Sequence, residues 1–403
     1  MVDDMRKVLA DELGEIRKRE RYRILRSIES PAKIEIFIGG KKYLNFSSND
    51  YLGLAASEKL VATLAAVGER WGIGSGASRL ICGNMEVHAE LEQRIADFKG
   101  AQCGLVFSSG YMANLGILST LGSPETTVFS DELNHASIID GCRLSRAKVK
   151  VYRHADAGHL QDLLSADEGK RKIIITDGVF SMDGDIAPLA DLCYLKEKYG
   201  AILVVDDAHA TGVVGEGGRG TASLFGLSGK VDIQMGTFSK ALGTYGAFIC
   251  CDSIIREYFI NRCRPFIFNT AIPPLIAALT VTALRIVEEN PQLVEQLKKK
   301  VDRFTAGLGK QGVTVRSETP IIPVIIGSDR ETVEISKKLF DEGFYVYGVR
   351  PPTVPENTAR LRVTLSAAHR DDQIDLLTER IAYHMSTLKR DAQADNQSSV
   401  RSP

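Results

Sequence analysis

A chain of 403 residues is longer than one hydrophobic core usually supports, so a large domain with a smaller companion is expected. A net charge of -1, with 44% hydrophobic and 25% charged residues, argues against nucleic acid or an anionic membrane as a partner and fits a soluble globular enzyme. Seven scattered cysteines, an odd number with no C-x-x-C pair, argue against a structural zinc site and for reduced thiols in the cytoplasm.

Residues 1–17 are charged throughout and lack the apolar core of a signal peptide. Residues 4–26 read as a helix with a solvated basic face, and two alternating runs, 33–38 and 42–46, flank Gly39-Gly40 as a hairpin. Residues 1–50 are therefore expected to form an arm of helix and hairpin. A polar turn, Ser47-Ser48-Asn49-Asp50-Tyr51, leads to a helix over 57–71, and a glycine-dense segment, 72–79, permits close approach of backbone to a ligand or a partner chain. The strand 104–108 runs through Gly110 and Tyr111 into a helix, which is either a plain tight turn or a place where helix N–H groups meet a phosphate. The run 127–129 leads to His135 at another strand-to-helix junction.

Three apolar runs follow, each about one strand-helix unit from the next. Residues 172–176 end in Asp177 and reach Ser181, residues 201–205 end in Asp206-Asp207-Ala208-His209, and residues 231–236 end in Thr237-Phe238-Ser239-Lys240. As parallel strands they open their carboxyl ends onto one crevice. A lysine leaving a buried strand among small residues is poorly placed as a solvated charge and well placed as a nucleophile toward an aldehyde. An acid, a histidine, a serine and a lysine delivered to one crevice suit pyridoxal phosphate, which needs an amine for its aldehyde and a carboxylate for its ring nitrogen. Residues 215–220 are glycine-rich but neither follow a strand directly nor open a clear helix, so they are rejected as a dinucleotide fingerprint. The apolar stretch 272–287 is broken by Pro273-Pro274 and Arg285, so no membrane span is indicated. Expected domains are 51–285 for the large one and 286–390 for a small α/β one, with 391–403 a polar, disordered tail.

The segments Thr237–Gly243, Asp206–Gly212 and Ser47–Gly53 resemble the α-oxoamine synthases, fold-type-I pyridoxal phosphate enzymes, and the resemblance runs from about Arg23 to near Arg390. It implies an α/β fold with a mainly parallel central sheet and a homodimer with shared sites. It also implies that Lys240 holds the cofactor and serves as base, that Asp206 pairs with the ring nitrogen, and that His209 and Ser181 sit near the ring's phenolic oxygen. His135 would stack on the ring, contacting cofactor and substrate alike. Gly110, Tyr111 and Thr237 would take the phosphate, and Asn269 and Thr270 would reach that of the partner subunit. Arg362 would clamp the amino-acid carboxylate beside Asn49, with Arg23 and Thr353 facing the acyl group; no metal is implied. Asp177 stands where relatives often carry glutamate. Within the family, residues 47–51 and 350–355 resemble members that join L-alanine to a pimeloyl thioester, on coenzyme A or acyl carrier protein, in biotin synthesis. The alternatives are the branch that uses glycine and acetyl-CoA, and a non-catalytic binding protein on the same fold.

Overall fold

A computed structural model of the chain describes residues 2–19 and 21–399, which fall into two compact units: Asn49–Lys298, and Met1–Ser48 together with Lys299–Pro403. In chain order the strands are β1 (Glu35–Ile38), β2 (Lys41–Asn45), β3 (Cys103–Phe107), β4 (Thr126–Asp131), β5 (Lys148–Tyr152), β6 (Arg171–Asp177), β7 (Ala201–Asp206), β8 (Ile233–Thr237), β9 (Ala247–Cys251), β10 (Ile321–Gly327), β11 (Phe344–Tyr345), β12 (Tyr347–Val349) and β13 (Ala359–Thr364).

The larger unit is built on a seven-stranded sheet in the order β3-β9-β8-β7-β6-β4-β5. Every pairing is parallel except the two that β9 makes, with β3 and β8. Helices cover both faces, which is why the central strands read as unbroken apolar runs. Alternation still sorts them: Ile173 and Ile175 join one core with Val204, Ile233 and Met235, while Ile174 joins the other with Leu203 and Val205. Strand β9 is buried along its whole length, so its five residues carry no alternation that would mark a strand in the sequence.

Outside these cores, His154 sits between Asp131, 3.1 Å from Nδ1, and Asp185, 2.7 Å from Nε2. Burial alone would lower the imidazole, but the two carboxylates outweigh it and raise it from 6.5 to about 10. Folding therefore gains stability from His154 that is complete below about pH 6.5 and fades as pH rises through about 10. His154→Gln should cost about 1–3 kcal/mol at neutral pH, because two carboxylates lose a charged partner. The gap in urea midpoint between wild type and variant should close toward alkaline pH.

The smaller unit holds two three-stranded sheets, β1-β2-β11 and β10-β13-β12. Gly39 and Gly40, with φ of 57° and 71°, form the two-residue turn between β1 and β2. The N-terminal residues are no separate arm. Strand β11, from far along the chain, pairs in parallel with β2, Thr364 N–H donates to Phe46 O at 2.8 Å, and the buried Phe46 ring stacks on His369 with centroids 4.2 Å apart. A hairpin too small to bury its own face finds its core in this way.

Other boundaries also move. The first helix stops at Lys18, and residues 21–29 carry no regular structure, with Arg21 bound to Asp329 at 3.4 Å and to Glu356 at 2.9 Å. The apolar run 344–349 divides between two sheets, β11 joining β1-β2 and β12 joining β10-β13. The last helix, Asp371–Ser399, runs past Arg390 into the expected disordered tail, through a stretch with alanine and glutamine and no glycine or proline to stop it. Residues 400–403 of that expected tail lie outside the described residues. Among the described residues, no helix is long and apolar enough to cross a membrane.

Candidate active site

Polar residues line up where four neighbouring strands of the larger unit end. Strand β4 ends at Asp131, β6 at Asp177, β7 at Asp206 and β8 at Thr237, and the register places Asp177 opposite Asp206. Ligands of doubly wound sheets bind at this edge.

Asp206 is 4% exposed and accepts hydrogen bonds from Asn114 Nδ2 at 2.7 Å and from Ala208 N–H at 2.8 Å. Its neighbour Asp207 turns away, as successive side chains of an extended chain do. It pairs with the buried Lys99 at 2.7 Å and accepts from the Thr221 hydroxyl at 2.6 Å. The two adjacent acids therefore have different tasks, one in the crevice and one in the core.

Lys240 lies half-buried, three residues beyond β8. Its charge and that of Asp206 both act on His135, whose imidazole is lowered by burial first and by Lys240, against the pull of Asp206. The same groups act on Asp177, which burial and then repulsion from Asp206 push well above the usual carboxylate range, with Lys240 opposing. Asp177 Oδ2 also accepts the backbone N–H of His135 at 3.1 Å. His135 caps the helix Ala136–Leu144, with Ser137 Oγ 2.7 Å from its Nδ1. His209 is fixed by the buried Tyr51, whose hydroxyl lies 2.6 Å from its Nδ1.

Ser181 sits in a tight loop closed by Gly184 N–H to Phe180 O at 2.9 Å and Phe180 N–H to Asp185 O at 3.0 Å. The Thr237 hydroxyl donates to Gly246 O at 2.8 Å and lies 2.7 Å from Ser239 Oγ. At the helix Gly110–Leu121, Met112 N–H goes to Ser109 Oγ and Ala113 N–H to Ser109 O, while the N–H groups of Gly110 and Tyr111 stand at the helix start, where a helix offers them no acceptor of its own. Asn269 donates to Ser108 Oγ of its own chain at 2.6 Å, one step before that helix, and Thr270 forms a bridge with Ser78. Asn49 accepts the Tyr51 hydroxyl at 3.4 Å.

Arg362, Arg23 and Thr353 belong to the smaller unit. Arg362 is 8% exposed on β13 and donates to Thr364 Oγ1 at 2.9 Å, while Arg23 donates to Thr353 Oγ1 at 3.3 Å, which joins the two residues expected at the acyl group.

Sequence reasoning passed over Asn114, Ser137 and Tyr51. Asn114 carried a readable signal: a poor helix former one turn past Gly110 has a reason to be there. The donor set fits pyridoxal phosphate, with an amine for the aldehyde, a buried and hydrogen-bonded carboxylate for the ring nitrogen, an imidazole beside both, and helix N–H groups for the phosphate. Among the described residues no cluster of histidine, cysteine or acid could hold a metal ion.

The family model for aminotransferase class I and II matches residues 41–381. An 8-amino-7-oxononanoate synthase from Geotalea daltonii is 47% identical over 378 residues, 93% of this chain and 96% of that protein. Among solved structures, serine palmitoyltransferase with PLP as an internal aldimine superposes with a TM-score of 0.90 at 31% identity, covering 94% of this chain and 99% of the other. An 8-amino-7-oxononanoate synthase from Francisella tularensis gives 0.75 at 31% identity, covering 86% and 99%. With Lys240, Asp206 and His135 just beyond the ends of neighbouring strands, the chain belongs to the class I and II aminotransferase family and, within it, to the α-oxoamine synthases.

Proposed function

We propose that the chain condenses L-alanine with a pimeloyl thioester, releasing carbon dioxide and the thiol carrier and forming 8-amino-7-oxononanoate for biotin synthesis. The observation that carries this reading is 47% identity over 93% of the chain to an enzyme of that name. The cofactor is pyridoxal 5′-phosphate, which when bound supplies an aldehyde that captures amines and a protonated ring that draws electrons from the adjacent carbon.

The chain's own residues do the rest. Lys240 Nζ anchors the cofactor, gives way to the substrate amine, takes the proton from the alanine Cα and later returns one. Asp206 holds a proton at the ring nitrogen, because a buried carboxylate in a site of low dielectric strongly favours a cationic partner. His135 would stack on the ring, His209 and Ser181 would bond near its phenolic oxygen, and Gly110, Tyr111 and Thr237 would hold the phosphate, with Asn269 and Thr270 serving that of the partner subunit. Arg362 binds the amino-acid carboxylate in two-pronged fashion, with Asn49 as a further polar contact. Arg23 and Thr353 bind the acyl substrate; Arg23→Ala should raise KM for the thioester about tenfold or more and leave KM for alanine nearly unchanged.

The active species in this proposal is a homodimer in the cytoplasm. It is supported by Ile73, Leu80, Ile81 and Phe268, large apolar side chains left exposed in and around the glycine-dense segment, and by seven free cysteines. Light scattering should give twice 44.1 kDa. The decisive experiment mixes the holoenzyme with L-alanine and a pimeloyl thioester, on coenzyme A and on carrier protein in turn, and identifies the product by mass spectrometry. Formation of 8-amino-7-oxononanoate supports the reading. Turnover of glycine with acetyl-CoA alone would replace it with the acetyltransferase alternative.

A further inference from the structure

A count of protons around His135 goes beyond its stacking role. Asn114 Nδ2 carries two hydrogens and has two partners, Asp206 Oδ2 at 2.7 Å and Ser137 Oγ at 2.9 Å. The amide cannot be turned round, since its oxygen would then face the Asp206 carboxylate; Asn114 Oδ1 is instead the buried atom left without a partner. Ser137 Oγ, already accepting from Asn114, has its own hydrogen to give, and His135 Nδ1 lies 2.7 Å away. The Ser137 backbone N–H also points at Nδ1, at 3.2 Å. Two donors on one ring nitrogen leave it no room for a proton.

We infer that Asn114 and Ser137 are positioning residues that lock His135 as the neutral tautomer with its proton on Nε2, and that they tie the orientation of that ring to the Asp206 carboxylate. The order of the relay is Asp206, Asn114, Ser137, His135, so it couples the acid that would pair with the ring nitrogen to the histidine that would stack on the ring. Its use in catalysis rests on the function proposed above: His135 then presents an N–H donor to whatever lies over the cofactor and does not compete with Lys240 for the substrate proton. Burial, the largest influence on this ring, disfavours the imidazolium and Lys240 adds to it, against the opposing pull of Asp206, and the net direction is the same.

The test is side-chain nitrogen NMR on pyridoxal phosphate-loaded protein labelled with nitrogen-15 histidine, with His135→Gln to assign the signal. The expected wild-type result is a bare Nδ1 and a protonated Nε2 throughout the pH range of activity. A proton on Nδ1 in wild type would overturn the inference, and this readout needs no relay variant to fold and no substrate to turn over. It therefore stands or falls separately from the proposed reaction. Ser137→Ala and Asn114→Ala should each bring in the second tautomer and lower kcat about tenfold, the effect of one lost hydrogen bond, while Ser137→Thr, which keeps the hydroxyl, restores the wild-type signature. A single unchanged tautomer in Asn114→Ala would remove Asn114 from the relay and overturn that part of the inference.

Discussion

Lys240→Ala is expected to lower turnover of L-alanine and pimeloyl thioester by at least about a thousandfold, because in the proposed reaction one residue carries both covalent anchorage and proton transfer at Cα. Each is worth orders of magnitude alone. Borohydride treatment should fix pyridoxal phosphate to the Lys240 peptide of wild type and to nothing in the variant. Folding should survive, since Lys240 is half-buried at a loop and outside the two apolar cores of its unit. Steady-state turnover within tenfold of wild type would show that another amine does the work and would end the assignment.

Asp206→Ala is expected to have an effect of similar size, about a thousandfold, for an electrostatic reason: a ring nitrogen without its buried carboxylate gives up its proton and withdraws electrons weakly. The comparison that isolates the cause is the adjacent acid. Asp207→Ala leaves the crevice alone but strands Lys99, whose side chain is fully buried against it. Breaking a buried pair by removing one partner costs about 3–5 kcal/mol, so this variant should lose stability, and whatever folds should retain most of its kcat. Urea denaturation and steady-state kinetics on the two variants should give opposite patterns. If both lost activity equally at equal stability, the division of labour between Asp206 and Asp207 would be wrong.

Local chemistry made much of this protein readable in one dimension. The runs that became β6, β7 and β8 are apolar because helices cover both sheet faces, Gly39-Gly40 specifies its turn through backbone freedom, and Asn290-Pro291 divides the helices Pro274–Glu289 and Gln292–Lys310. The placement of Asp206, Thr237 and Lys240 follows from where such strands must end. Partnership across the chain is a different matter. That Asn114 serves Asp206, that Tyr51 holds His209, that His154 bridges Asp131 and Asp185, and that residues 1–48 complete a unit with residues 299–403 depends on contacts between segments far apart in sequence. Periodicity and turn preference act over a few residues, whereas a buried donor takes its acceptor from whichever segment the packed chain brings within about 3 Å. Strand runs, their polar ends, the lysine and the choice of Asp206 were thus legible along the chain, whereas the Asn114 donor that holds Asp206 and the Lys99 and Thr221 partners that hold Asp207 emerge only once distant segments pack together.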